Sequence, residues 1–477
     1  MNKRTRIKDL AWIVAFDGEK HVYRRGGDVV FDGNTLVHVG GKYDGAVDRD
    51  IDGTSMMAMP GLVNVHGHLG TEPLGKGFFE ELGSHKLNMS RIYEYIYTIR
   101  PDKDAVAPAT HYSVAELMRS GCTTVSDMGV PYADWINVHA ATGARTYFSP
   151  MFRSARWHTP NDYSVEYIWD EAAGVRGMAE GLAVCEAARK HPSGRLGGIV
   201  MPAQVDTCTP ELIKAAYDEA CARDLPFQTH LGQAIFEFQE MVRRHGKSPV
   251  GFLADLGVLG PRTTLAHGIF LDEHPNVGWF EKTDVDMVVG TGTHIAHSPM
   301  TFAYRGVSMR SLGSYNERGV SLALGTDTFP HDMLNEMRFA IMLSKVASQH
   351  VDLLTVEDLF HMATIGGATT VNRDDIGRLS VGAKADIVLV NCDHPGMAPL
   401  RDPLRSLIFS AGSAAVRHVF VDGNQTVEDG TVATIDVPAV SRALTQGQMR
   451  ALADTPNRDW AKRSADQISP LALEIKV

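Results

Sequence analysis

The stretch Pro60-Gly-Leu-Val-Asn-Val-His66-Gly-His68 is an apolar run that ends on two histidines. In extended backbone, residues i and i+2 point to the same face. His66 and His68, placed at a strand end, therefore aim at one point, and two converging imidazoles make half a metal site. An open, doubly wound sheet would put a glycine-rich turn after its first strand. His-Gly-His stands there instead, which favours a closed barrel with its chemistry at the strand ends.

Outward from that strand, the chain from Pro60 to Asn372 alternates short apolar runs with helical patterns such as Ala105–Ser120 and Pro210–Arg223. Eight strands are expected: Gly61–His66, Thr123–Asp127, Arg145–Ser149, Gly197–Pro202, Pro226–His230, Thr263–His267, Asp286–Val289 and Ser321–Gly325. Strands alternating with helices indicate parallel βαβ units, and eight of them indicate an α/β chain folded as a (β/α)8 TIM barrel, here over residues 60–375. The flanks read differently. Leu10–Ala15, Gly27–Phe31, Thr35–Val39, Ala385–Val390 and Val416–Val421 are β-rich runs bounded by Asp-Gly and Gly-Gly turns. Residues 1–59 and 376–435 are thus expected to build one small β-sandwich from both chain ends, followed by a helical tail over 436–477.

More polar residues fall at the ends of barrel strands. His230 closes the fifth expected strand, His267 closes the sixth, and Asp327 follows the eighth in Gly325-Thr-Asp327. A buried histidine or a helix-capping aspartate would explain any one of them, but chance explains four such strand ends poorly. The C-terminal strand ends are where a barrel carries its active site.

The chain resembles the amidohydrolase superfamily through Met59-Pro-Gly-Leu-Val-Asn-Val-His-Gly-His68, Thr229-His230, Leu265-Ala-His267-Gly, His294-Ile-Ala-His297-Ser-Pro, Leu324-Gly-Thr-Asp327-Thr and the tail Ile376–Val388. Its likeness is to the branch that holds triazine hydrolases and cyclic-amidine deaminases. The resemblance implies that His66, His68, His230 and Asp327 ligate one divalent metal ion, with zinc preferred over iron, cobalt or manganese. It implies His267 and Asp327 as catalytic residues. Binuclear relatives add a carboxylated lysine after the fourth strand. Met201-Pro-Ala-Gln204 offers none, so one ion is expected.

Deaminases of this branch carry His-x-x-Glu after the fifth strand, whereas this chain has His230-Leu-Gly-Gln233. Glutamine can hydrogen-bond but cannot act as a general acid or base near neutral pH. Gln233 therefore shifts the expectation towards hydrolysis of an amide, urea or carbamate-type C–N (or C–S) bond in a small aromatic or cyclic molecule, with phenylurea and thiocarbamate hydrolases as neighbours. Deamination or dechlorination of a nitrogen heterocycle is the alternative, with Glu237 a candidate for the missing proton carrier. A non-catalytic scaffold would show an eroded ligand set, and this set is complete.

Substrate contacts are expected from Phe78 in the long segment Gly70–Met89, from Arg153 and Trp157 after the third strand, and from His297 and His331. The net charge of −11 argues against a nucleic-acid partner, which would need a concentrated basic face. No apolar run reaches the roughly 18 residues of a membrane span. Five scattered cysteines read as reduced thiols, hence a cytoplasmic protein, and similar proteins suggest a homo-oligomer.

Overall fold

The computed structural model describes residues 3–476. The central strands are β1 (Leu62–Asn64), β2 (Cys122–Gly129), β3 (Arg145–Phe152), β4 (Leu196–Gly198, continued by Met201–Pro202), β5 (Phe227–Leu231), β6 (Thr263–His267), β7 (His294–His297) and β8 (Ser321–Leu324). They pair in parallel as two arcs, β1 to β4 and β5 to β8. Backbone bonds join the arcs at both seams. Between β4 and β5, Val200 N donates to Pro226 O at 2.9 Å and Gln228 N to Val200 O at 3.0 Å. Between β8 and β1, Val65 N donates to Leu324 O at 3.2 Å and Asp327 N to His66 O at 2.9 Å. The architecture is of the TIM-barrel type. Its strands are buried on both sides, as in Leu62-Val63 and Ile295-Ala296, because side chains fill the ring inside and helices cover it outside.

One expected strand is displaced. Asp286–Val289 lies in the helix Asp284–Thr291, and the seventh strand is His294–His297. A run this short, with three apolar residues, does not distinguish strand from buried helix. Here Val285 and Val288, three apart, face the core, and Gly292 ends the helix at φ 69°.

The two chain ends meet in antiparallel pairing of Met56–Pro60 with Ile387–Asn391. They contribute to a four-stranded sheet and a seven-stranded sheet. Ile7, Val29 and Leu36 from the first share a core with Ile13, Ile387 and Phe420 from the second. After them, the helices Val437–Arg458 and Ala465–Ile468 return to the barrel's mouth. There Gln448 Nε2 donates to the carbonyls of Leu74 and Lys76, and Ser469 Oγ to that of Phe78. The segment after β1 is thereby strapped down.

Arg145, at the start of β3, ties the barrel to this flank. Its fully buried guanidinium donates to both oxygens of Asp386, at 3.0 and 3.1 Å, and to Asp422 at 3.1 Å. Removing one partner of a buried pair strands the other charge in a poorly solvated site. Arg145→Ala is therefore expected to destabilise the protein by about 3–5 kcal/mol. An unchanged midpoint in chemical denaturation would show that the flank does not depend on this ion pair.

Candidate metal centre

The β1–β8 seam brings the first histidines to the last aspartate. His66 and His68 lie just beyond β1, and Gly67 between them pairs with Asp327. His68 N donates to Asp327 O at 3.0 Å, closing the same bridge from the other side. The approach requires glycine at 325, where an added Cβ would stand 2.6 Å from His66 Cβ and 2.8 Å from His66 N. Two residues of the site, His267 at φ 84° and Asp327 at φ 57°, hold left-handed backbone that non-glycine residues seldom adopt. Such conformations persist where surrounding structure over-determines them, commonly at functional sites.

The side chains converge. Asp327 Oδ1 lies 3.5 Å from His66 Nε2 and 3.4 Å from His68 Nε2, and His230 Nε2 lies 3.4 Å from His68 Nε2. Ligand atoms of His66, His68 and His230 fall within 4.8 Å of one another, as do those of His66, His267 and Asp327. His68 Nδ1 meets the Met128 carbonyl at 3.0 Å, and His230 Nδ1 meets the Ala203 carbonyl at 2.5 Å. A carbonyl only accepts, so these Nδ1 atoms carry the hydrogens and both Nε2 lone pairs face the centre. His66 has no partner for either ring nitrogen although it is fully buried. An orphaned imidazole among two oriented imidazoles and a carboxylate is the donor set of a divalent ion. The residues present fit a metal.

Electrostatics agree. Burial lowers the affinity of His66, His230 and His267 for protons, keeping them neutral. Burial alone would raise the Asp327 carboxyl, but the His66 ring beside it and the other imidazoles around it hold it well below the usual carboxylate range. Asp327 is therefore an anion in a cage of neutral donors.

The centre opens into a cavity of about 530 Å³. Gln233, Arg153 and Trp157 line it, and so does Phe79, whereas Phe78 does not. Phe78 packs instead with Leu74, Leu444 and Ile468 beneath the tail helices. His331 is also outside the lining. It is buried behind the site and pairs at 2.8 Å with Thr326 Oγ1, whose amide donates to Asn64 Oδ1 at 2.9 Å. It braces the turn that presents Asp327. His297 is buried against the His267 backbone and borders a separate small cavity near Met309.

Glu237 does not replace the missing glutamate. It is fully buried, lies outside the cavity lining and accepts the amides of Gly232 and Gln233 at 2.6 and 3.3 Å. Burial, with the Asp206 charge nearby, pushes its carboxyl well above the ordinary range. Glu237 thus shapes the loop that holds Gln233. Gln204, after β4 where a bridging lysine would stand, lines the cavity and accepts from Thr207 Oγ1 at 2.8 Å. Sequence reading missed Glu72, Arg91, Arg100 and Arg305, which also line the cavity. They lie in long loops with no motif around them.

The amidohydrolase family model matches residues 57–426. A 5-methylthioadenosine/S-adenosylhomocysteine deaminase from Natronomonas pharaonis is 28% identical over 424 residues, 88% of this chain and 92% of the relative. A 5'-deoxyadenosine deaminase from Methanothermobacter thermautotrophicus is 28% identical over 86% of this chain and 92% of its own. Among solved structures, a triazine hydrolase variant superposes with TM-score 0.80 at 22% identity, covering 94% of this chain and 99% of that one. A zinc-bound adenosine deaminase from Xanthomonas campestris gives 0.78 at 21%, covering 94% and 98%.

Two outcomes test the centre. A ligand that binds only the folded state stabilises it by about 4 kcal/mol at a thousandfold excess over its Kd. Zinc at that excess is expected to give this gain in denaturation, and His66→Ala to abolish it; an equal gain in both would place the ion elsewhere. The second concerns pH. Burial depresses His297 to about 4 and His331 to about 3, from 6.5. Their stabilisation is fully present above 6.5 and is lost as pH falls through 6.5 towards 4, because the unfolded chain gains protons first. His331→Asn is expected to flatten this decline in unfolding free energy; an unaltered slope would contradict it.

Proposed function

This chain belongs to the amidohydrolase family and is a hydrolase acting on carbon–nitrogen bonds other than peptide bonds, and we propose that it cleaves an amide, urea or carbamate-type carbonyl in a small aromatic or cyclic substrate, using one zinc-class ion. The observation that supports this reading is Gln233. The side chain facing the cavity beside His230 cannot carry a proton, and the nearest candidate, Glu237, is turned into the protein. Water addition across a ring C=N needs a carrier for the ring nitrogen's proton. Attack on a polarised carbonyl needs it less.

His66, His68, His230 and Asp327 would hold the ion. When bound, it supplies Lewis acidity and lowers the pKa of a coordinated water to about 7. The Asp327 carboxylate, kept ionised among the imidazoles, accepts the proton from the attacking water. His267, neutral through burial and braced by the Phe302 ring at 4.9 Å between centroids, donates its N–H to the developing oxyanion. Asp327 then returns the proton to the departing amine. Gln233 Nε2, buried with no partner, is free to orient a polar group of the substrate.

A second reading, hydrolytic replacement of an amino group or chloride on a nitrogen heterocycle, is favoured by the deaminases among the relatives. Mass spectrometry separates the two. Phenylureas, carbamates, thiocarbamates and amides would be offered beside triazines, pterins and purines. The expected products are an amine with an acid or carbon dioxide. A ring kept whole, with only a substituent exchanged for oxygen, would overturn the first reading. Asp327→Asn is expected to lower kcat by about 10²–10⁴-fold, the range of general acid–base catalysis, and near-normal turnover would remove Asp327 from the proton path.

A further inference from the structure

The cavity wall is far more cationic than a pocket for a neutral molecule requires. Five arginines line it: Arg91, Arg100, Arg153, Arg305 and Arg458. The lining carboxylates are Glu72, Asp127 and Asp327, and each is already engaged. Glu72 pairs with Arg91 at 3.4 Å. Asp127 accepts from Trp135 Nε1 at 2.7 Å and from the Leu69 amide at 3.1 Å, and meets His139 Nε2 at 2.7 Å. Asp327 belongs to the metal centre. Arg458 pairs with Asp454, on its own helix. Among the described residues, Arg100, Arg153 and Arg305 are left with no carboxylate partner.

Arg305 is the most constrained of the three. It is 7% exposed, its Nε has no hydrogen-bond partner, and its polar contact is Nη2 donating to Thr301 Oγ1 at 2.9 Å. Its guanidinium sits 5.1 Å from the centroid of Phe302, the ring that braces His267. It therefore stands one side chain away from the catalytic histidine. Arg100 lies over the Tyr97 ring at 4.9 Å, close enough to Arg153 and Arg458 to feel their repulsion. Glu72 attracts Arg100 and Arg305, and Asp327 attracts Arg305, but neither carboxylate pairs directly with them, so burying and gathering these cations remains costly. A site keeps such a set when a ligand completes it, and the planar guanidinium fork matches a carboxylate.

We propose that the substrate carries a carboxylate-class anion near its scissile bond, and that Arg305, with Arg100 and Arg153, forms the subsite that selects it. This deepens the hydrolase reading and rests on the same cavity. Anion and metal would act at two points on one small molecule, which fixes the reacting carbonyl by orientation.

The test uses the zinc-loaded full chain. Benzoate and benzamide, equal in shape and different in charge, are titrated by calorimetry. Benzoate is expected to bind more tightly, and Arg305→Gln and Arg153→Gln each to weaken it by about 10- to 100-fold, the range for losing a charge-assisted hydrogen bond. Benzamide should be indifferent to both, with zinc content and circular dichroism unchanged. Arg153, less buried, keeps the test open if Arg305→Gln misfolds. Equal binding of the two probes, or benzoate binding unaltered by both substitutions (a carboxylate sitting on the ion alone), would overturn the subsite. Turnover of 4-ureidobenzoate against phenylurea then separates the two claims. Preference for the anion, lost in Arg305→Gln, supports both. Arginine-dependent benzoate binding without turnover of either urea would overturn the carbonyl reading and leave the subsite standing.

Discussion

The close approach of β8 to β1 is the constraint on which the site depends. Only there can His66, His68 and Asp327, some 260 residues apart in the chain, share one point. The approach is made by a glycine with no room for a side chain, by the Gly67–Asp327 bridge and by Asn64 capping the Thr326 amide. His331 then stiffens the turn from behind. Ring closure and ligand convergence are one event. The left-handed backbone at Asp327 is held there by its two backbone bonds to His66 and His68.

Around the centre, each imidazole is specialised by what its far nitrogen touches. Carbonyls of Met128 and Ala203 orient His68 and His230, whereas His66 is left without partners. Burial keeps the buried rings unprotonated and so available as donors. The same low-dielectric surroundings make the unpaired arginines of the wall conspicuous, since charge in such a place is seldom left uncompensated.

The flanking sheets and the tail matter to function through position. Arg145 anchors β3 to the sheets, and the tail helices clamp the segment after β1 that carries Glu72 and Phe79 into the cavity. Phe78 and Phe79 show how fine the division is. Adjacent in sequence, both pack under the tail, and Phe79 alone of the two also lines the cavity.

By itself the sequence determined the alternation of strand and helix and the identity of the residues at the strand ends. Both are local properties: hydrophobic period, turn chemistry, and polar side chains placed just after apolar runs. Locality also marks where it failed. Asp286-Met-Val-Val289 read alone suits strand and helix equally, and the helix is marked by residues outside that window, Val285 and the capping Gly292. Which polar residues face the cavity was decided by tertiary structure. Glu237 and His331 turned away from it to satisfy backbone amides and a hydroxyl, whereas Arg100 and Arg305 came in on loops that carry no periodic signal. Side-chain direction in a loop is set by distant packing partners, and no pattern along the chain encodes it.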